Sequence, residues 1–223
     1  GADSYYHGFQ GTLRKRFSNG LQVAASYTLS KSIDNQSVDP VASSAGGGLC
    51  TTNSRTPADI RDWRNERAVS DFDRRHVLSG IWLYELPAGR GKALAGSAAG
   101  WVNHLVGGWS LNGIVSAMTG EPWTVLSGIR TSNNSHVSRA DLVGPMPKAE
   151  LQDKANTVGP VLFRDASAFR IPAPGSNGMG RNMFRGPAYW NVDIGLQKII
   201  ALSDRARLQR SEERRVGKEC RSR

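Results

Sequence analysis

The chain has 223 residues, 39% of them hydrophobic, with 29 Lys and Arg against 19 Asp and Glu. That length holds one sizeable domain or two small ones, and no apolar run reaches the ~18 residues a transmembrane helix needs. A membrane-crossing strand is not excluded, because it carries apolar side chains on alternate positions only and leaves the average composition looking soluble. The 25 glycines and 10 prolines suit an all-β chain rich in turns.

Hydrophobic period gives the elements in chain order. Tyr5, His7, Phe9, Gly11 and Leu13 alternate with Tyr6, Gly8, Gln10, Thr12, Arg14 and Arg16, predicting a first strand. Ser18-Asn19-Gly20 follows, and Asn-Gly takes the positive φ angles of a tight hairpin turn. The second strand sets Leu21, Val23, Ala25, Tyr27 and Leu29 against Gln22, Ala24, Ser26, Thr28 and Ser30, and its apolar row holds no charge. A third, from His76 to Leu86, is apolar on both rows, and the pattern does not orient it. The fourth starts near Gly108 and sets Trp109, Leu111, Gly113, Val115 and Ala117 against Ser110, Asn112, Ile114, Ser116 and Met118. The fifth sets Trp190, Val192, Ile194 and Leu196 against Asn191, Asp193, Gly195 and Gln197, and a sixth begins at Arg205.

Alternation by itself fits a soluble β-sandwich equally well, since its strands also have one wet face. Connection length discriminates better. Strands one and two, and five and six, are joined by tight turns. Two to three needs roughly forty residues and four to five roughly sixty, both at the same end of a meander, which is the pattern of outer-membrane barrels. Such loops are unusual in a compact soluble domain unless they are functional or disordered. Pro87 to Gly107 fits less well, being about twenty residues on the short-turn side, with a small helix expected around Ala93 to Val106. Trp82, Tyr84, Trp109, Trp123, Tyr189 and Trp190 lie near strand ends, where an aromatic girdle would sit.

Candidate chemistry is sparse. Asp71, Asp73 and His76 read better as a charged strand entrance, with Arg74 and Arg75 neutralising the aspartates, than as a metal or acid–base cluster. Asp59, Arg61, Asp62, Arg64, Glu66 and Arg67 suggest a salt-bridged or lipopolysaccharide-facing loop. Gly175-Ser176-Asn177-Gly178-Met179-Gly180 has prolines before it and a strand after it, so it reads as a turn and not as a phosphate loop. The four histidines lie far apart, and no Ser sits in a nucleophile elbow. The expectation is no catalytic, metal or cofactor-binding residue and no cofactor. Arg14-Lys15-Arg16 is the only basic run, which argues against nucleic acid as a partner.

The last fourteen residues, Arg210 to Arg223, resemble the in-frame translation of a common sequencing adapter. On that resemblance 210–223 is a tail foreign to the protein, which leaves 1–209 as the expected partial outer-membrane β-barrel domain. Leaving out its six basic and three acidic residues gives 23 basic and 16 acidic, or +7, with Cys50 as the only remaining cysteine. With no initiator Met and no signal peptide, the chain is expected to start inside a longer protein.

Asp73-Arg74-Arg75-His76 leads into a strand ending Tyr84-Glu85-Leu86-Pro87. Gly107-Gly108-Trp109 opens the next, which ends Gly120-Glu121-Pro122-Trp123-Thr124. Gly180-Arg181-Asn182, Arg185-Gly186-Pro187, Asn191-Val192-Asp193 and Leu196-Gln197-Lys198 then follow in order. The ordered set resembles the late barrel strands of TonB-dependent receptors, especially the Oar-like group that often carries a carboxypeptidase-regulatory-like domain, and it covers most of residues 5–209.

The expected fold is therefore all-β: an antiparallel up-and-down transmembrane barrel fragment of about six strands with long loops on one side. The resemblance implies active uptake of an unidentified ligand and coupling to the TonB complex through a plug and TonB box upstream. It also implies outer-membrane lipid and lipopolysaccharide as surroundings. Candidate capture loops are Lys31–Arg75 and Ser127–Arg185, with no single ligand-contact residue assignable. The alternative is a soluble secreted β-sandwich that binds carbohydrate or mediates adhesion.

Overall fold

The computed structural model describes residues 3–37, 59, 62–89, 91–97, 100–129, 131, 138–149, 161–163, 165–203 and 206–218, without the side chains of 201–207 and 218. Two compact units emerge. One, the wall, comprises Phe9–Leu29, His76–Met118 and Ala188–Arg223; the other, the loop body, comprises Gly1–Gly8, Ser30–Arg75 and Thr119–Pro187.

Six long strands carry the main sheet: β1 (Ser4–Ser18), β2 (Leu21–Asp34), β4 (His76–Glu85), β5 (Trp109–Met118), β10 (Tyr189–Ser203) and β11 (Ala206–Lys218). Their order is β1-β2-β4-β5-β10-β11, an antiparallel meander in which each strand lies beside the next long one in sequence. β1 and β11 end the order, and the strands do not close on themselves. The first hairpin turns on Asn19 (φ 51°) and Gly20 (φ 75°), the left-handed pair that matches the twist of a two-residue turn. All six strands expected from periodicity are present, and β4 and β5 have 10 residues each, the length a tilted strand needs to cross a bilayer.

Register resolves the rows, since directly paired residues project from the same face of a sheet. Val23 pairs with Trp82, Trp82 with Gly113, and Gly113 with Ile194; Tyr27 pairs with Leu78, Leu78 with Ala117, and Ala117 with Trp190. These belong to one continuous apolar row set. The opposite set carries Ser26, Ser79 and Ser116 in line, then Asn191, with Asn112 beside Gly195. The strand that the sequence left unoriented is thereby oriented: Leu78, Trp82 and Tyr84 join the apolar rows, while Ser79, Ile81 and Leu83 join the polar ones.

Among the described residues the wall buries no apolar side chain. Trp190 is 42% exposed, Ile194 38% and Leu196 37%, and its buried side chains, Ser110 and Asn191, are polar. Among the described residues the wall has no second layer, so its apolar rows do not meet one another in a dry interior. Tyr84 and Trp109 lie on the apolar rows towards the short turns, and Tyr27 and Trp190 towards the long connections. Two of the expected girdle residues fall elsewhere. Trp123 packs inside the loop body, because it stacks on Phe163 and Phe184, and Tyr189 lies on the polar row opposite Met118. The expected helical piece is α1 (Gly100–Val106), shorter than the stretch from Ala93 that the sequence suggested.

The loop body is built the other way round. Ala140, Met179 and Phe184 form a buried cluster, with Trp123, Val125, Leu142, Phe163 and Phe169 packed against it. Two small ladders hold it: β6 (Pro122–Trp123) with β9 (Phe184–Arg185), and β7 (Asp141–Leu142) with β8 (Phe169–Arg170). A two-residue strand β3 (Ala68–Val69) pairs with Ile33 and Asp34 of β2. The four aromatic rings approach at 4.9 to 5.8 Å between centroids, which adds roughly 0.5–1.5 kcal/mol per pair beyond area burial.

Candidate functional site

The polar core of the loop body centres on Arg181. Its Nη2 pairs with the Asp34 carboxylate and donates to the Asp34 carbonyl at 3.0 Å. Nη1 donates to Asp71 Oδ1 at 3.0 Å and to Ser37 Oγ at 2.9 Å, and Nε donates to the Glu66 carbonyl at 3.2 Å. A guanidinium has five N–H groups, and here all five have acceptors. The Arg181 side chain is 5% exposed and Asp34 is 3% exposed, so the charges are paired where water cannot screen them. The acceptors come from three separate stretches, 34–37, 66 and 71.

The neighbouring residues extend the same logic. Asn182, at φ 56°, donates from Nδ2 to Asp71 Oδ1 at 2.6 Å and to the Val69 carbonyl at 2.7 Å. Its backbone N–H donates to Thr124 Oγ1 at 2.9 Å. Asp73, buried, accepts from the Ser32 N–H at 2.7 Å and from Arg185 Nη2 at 2.5 Å. Arg139 and Glu66 form a further buried ion pair at 2.8 Å. Arg74 pairs with Glu121 and donates to the Thr119 carbonyl.

This corrects the reading of Asp71 and Asp73. Their counter-charges are Arg181 and Arg185, more than a hundred residues on, and not the adjacent Arg74 and Arg75. Residues 71–75 form a turn and bend ahead of β4, and Arg74 is engaged instead by Glu121 and the Thr119 carbonyl. His76 is engaged in the wall, 2.7 Å from the Tyr27 hydroxyl. Among the described residues no group of three His, Cys, Asp or Glu is disposed to hold a metal. The glycine-rich stretch is a turn: Gly175 has φ 84° and Gly178 φ 75°, and Met179 N–H donates to the Ala140 carbonyl.

One concavity of the loop body carries both aromatic and cationic groups. Tyr5, Ile33, Trp63, Arg64 and Arg67 line a cleft of about 310 Å³ together with Asp3, Asp34 and Asn35. Arg67 lies over the Tyr5 ring at 5.0 Å. The Asp34 carboxylate is already taken by Arg181, which leaves the rim with two arginines against Asp3.

A family model described as an outer membrane beta barrel domain matches residues 1–213. The chain belongs to that family. The outer membrane is therefore its location, and the exposed apolar rows of the wall are those that meet hydrocarbon. This sets aside the soluble β-sandwich alternative. Comparison with curated proteins and with solved structures finds no match. The match does not single out residues, but the barrel domain's Gly180-Arg181-Asn182 and Arg185-Gly186-Pro187 segments coincide with the buried network. In the sequence they carry a family resemblance alone; their partners across more than a hundred positions leave no local signal.

Proposed function

We propose that this barrel domain belongs to a receptor for active uptake of the TonB-dependent, Oar-like type, with plug and energy-coupling segments supplied by sequence outside residues 1–209. The single observation that carries the reading is the fully engaged Arg181, which ties three stretches of the first long connection to the second. A passive pore does not need its long loops held by buried ion pairs, whereas a capture surface gains affinity from being ordered before the ligand arrives. The ligand meets the loops within Lys31–Arg75 and Ser127–Arg185. The reading assigns the domain no catalysis, no cofactor and no nucleic-acid partner.

The test compares two deletions in the source bacterium, one of this gene and one of the inner-membrane coupling gene. Loss of the same nutrients in both strains is the expected result. Uptake that survives removal of the coupling protein, with solute-size-dependent swelling of vesicles holding the purified barrel, would show a passive pore instead.

The Tyr5–Trp63–Arg64–Arg67 cleft is our assignment for contact with lipopolysaccharide. It joins aromatic faces to two guanidinium groups suited to phosphate. Replacing Arg64 and Arg67 together by Ala should strip co-purifying lipopolysaccharide, and unchanged co-purification would defeat the assignment.

We also propose that 210–223 is foreign sequence. β11 pairs Leu208 with Ile200, Arg210 with Lys198, Glu212 with Leu196 and Arg214 with Ile194. From Arg210 onward the lipid-facing row is thus largely charged, and each Arg at mid-depth costs roughly 2–4 kcal/mol. The family match itself runs four residues past Gln209. Reading the genomic locus decides it: apolar residues on alternate positions after Gln209 are expected, and the present tail found in the genome would refute the proposal.

A further inference from the structure

The connection between β4 and β5 is too long for a turn, and the wall shows what it does with the extra length. α1 ends on residues of the lipid-facing rows. Trp109 Nε1 donates to the Leu105 carbonyl at 2.9 Å, and Lys198 Nζ donates to the same carbonyl at 2.6 Å and to the Gly107 carbonyl at 3.4 Å. Trp109 and Lys198 are paired across β5 and β10, on the row of Leu111 and Leu196. The Lys198 ammonium also lies 4.4 Å from the centre of the Trp109 ring. A lysine on a lipid-facing row is costly unless its charge is satisfied. Here the cation meets the last carbonyls of a helix, which are short of donors and carry the negative end of its dipole.

The helix is therefore fastened to the outside of the wall, at the short-turn end. Nothing in it is buried. Trp101 is 71% exposed and Leu105 62% exposed, and residues four apart share one helix face. Leu94, earlier in the same connection, is 60% exposed. An apolar helix face this bare would be a liability in water. It is continuous with rows already placed in hydrocarbon, and Trp is the side chain favoured where headgroups meet acyl chains.

We propose that α1 is an interfacial anchor. It lies in the periplasmic leaflet of the outer membrane, with Trp101 and Leu105 inserted at the boundary of headgroups and acyl chains, and Lys198 holds it against the barrel. The inference depends on the outer-membrane location and not on the transport reading, so a passive pore would carry the same anchor.

The test uses the intact barrel protein, purified and reconstituted into vesicles of phosphatidylethanolamine and phosphatidylglycerol that include lipids brominated at defined depths. Trp101→Phe is compared with the unaltered protein, after heat-modifiable gel mobility has shown both to be folded. The fluorescence lost in the variant, which is that of Trp101, is expected to be blue-shifted and quenched most by bromines high on the acyl chains. Quenching by aqueous iodide with none by brominated lipid would place Trp101 in water and overturn the proposal. Resistance to both quenchers would bury it in protein and overturn it equally.

Discussion

The wall and the loop body are made from the same residue types under opposite rules. In the wall, the apolar rows remain exposed, while the buried side chains among the described residues are the polar Ser110 and Asn191. In the loop body, Phe184 and Met179 are buried as in a water-soluble domain, and charged pairs such as Arg181–Asp34 are buried beside them. The difference is one of solvent. Hydrocarbon around the wall removes the penalty for showing Leu or Ile and requires backbone polar groups to be paired, which the ladders accomplish between neighbouring strands from β1 to β11. Water around the loops restores the ordinary penalty, and irregular backbone there needs side chains to satisfy its polar groups.

The largest effect expected from breaking this contrast comes from Arg181→Met. It leaves Asp34 buried without its counter-charge, a loss of about 3–5 kcal/mol for the loop body. Protease should then cut the long loops rapidly, while the heat-modifiable mobility of the wall stays as before; loss of both together would mean the units are not separable. Next, the two rows of β5 should respond oppositely to one substitution. Val115→Arg, on the lipid-facing row, is expected to cost about 2–4 kcal/mol in refolding into lipid vesicles, and Ser116→Arg close to nothing. Equal costs would break the assignment of rows.

Gly178→Ala sharpens the picture of the loop body alone. Its φ is 75°, and an added methyl carbon would sit 1.8 Å from the Arg139 carbonyl oxygen. A destabilisation of about 1 kcal/mol or more is expected, read as a lower loop melting temperature, and an unchanged value would remove the close approach. The smallest effect should be that of Tyr27→Phe. It deletes a single exposed hydrogen bond to His76, worth about 0.5–1 kcal/mol, in urea titrations of vesicle-bound protein.

The legibility of the chain divides along the same line. Strand β2 could be read residue by residue, because alternation is a local, period-two consequence of one wet and one dry face. The Asn19-Gly20 turn was equally local. β4 resisted, since Ile81 and Leu83 put apolar groups on the polar row, and only pairing with Ala24 and Asn112 shows which row is which. In the loop body the motif residues Arg181 and Arg185 were visible as words without a meaning. Their partners Asp34, Asp71 and Asp73 lie 110 to 147 positions away, so no local pattern pairs them, and the adjacent Arg74 and Arg75 look like the counter-charges instead.

The amino-acid sequence by itself determined that this chain makes alternating strands of membrane-crossing length with long connections at one end. Those properties depend on side-chain order within ten residues, and the solvent on each face writes them directly into the pattern. Only the tertiary structure decided which charges meet, where the connection between β4 and β5 comes to rest, and that the loops share a core. Each of these depends on residues distant in sequence being brought within hydrogen-bonding reach, and no local period records it.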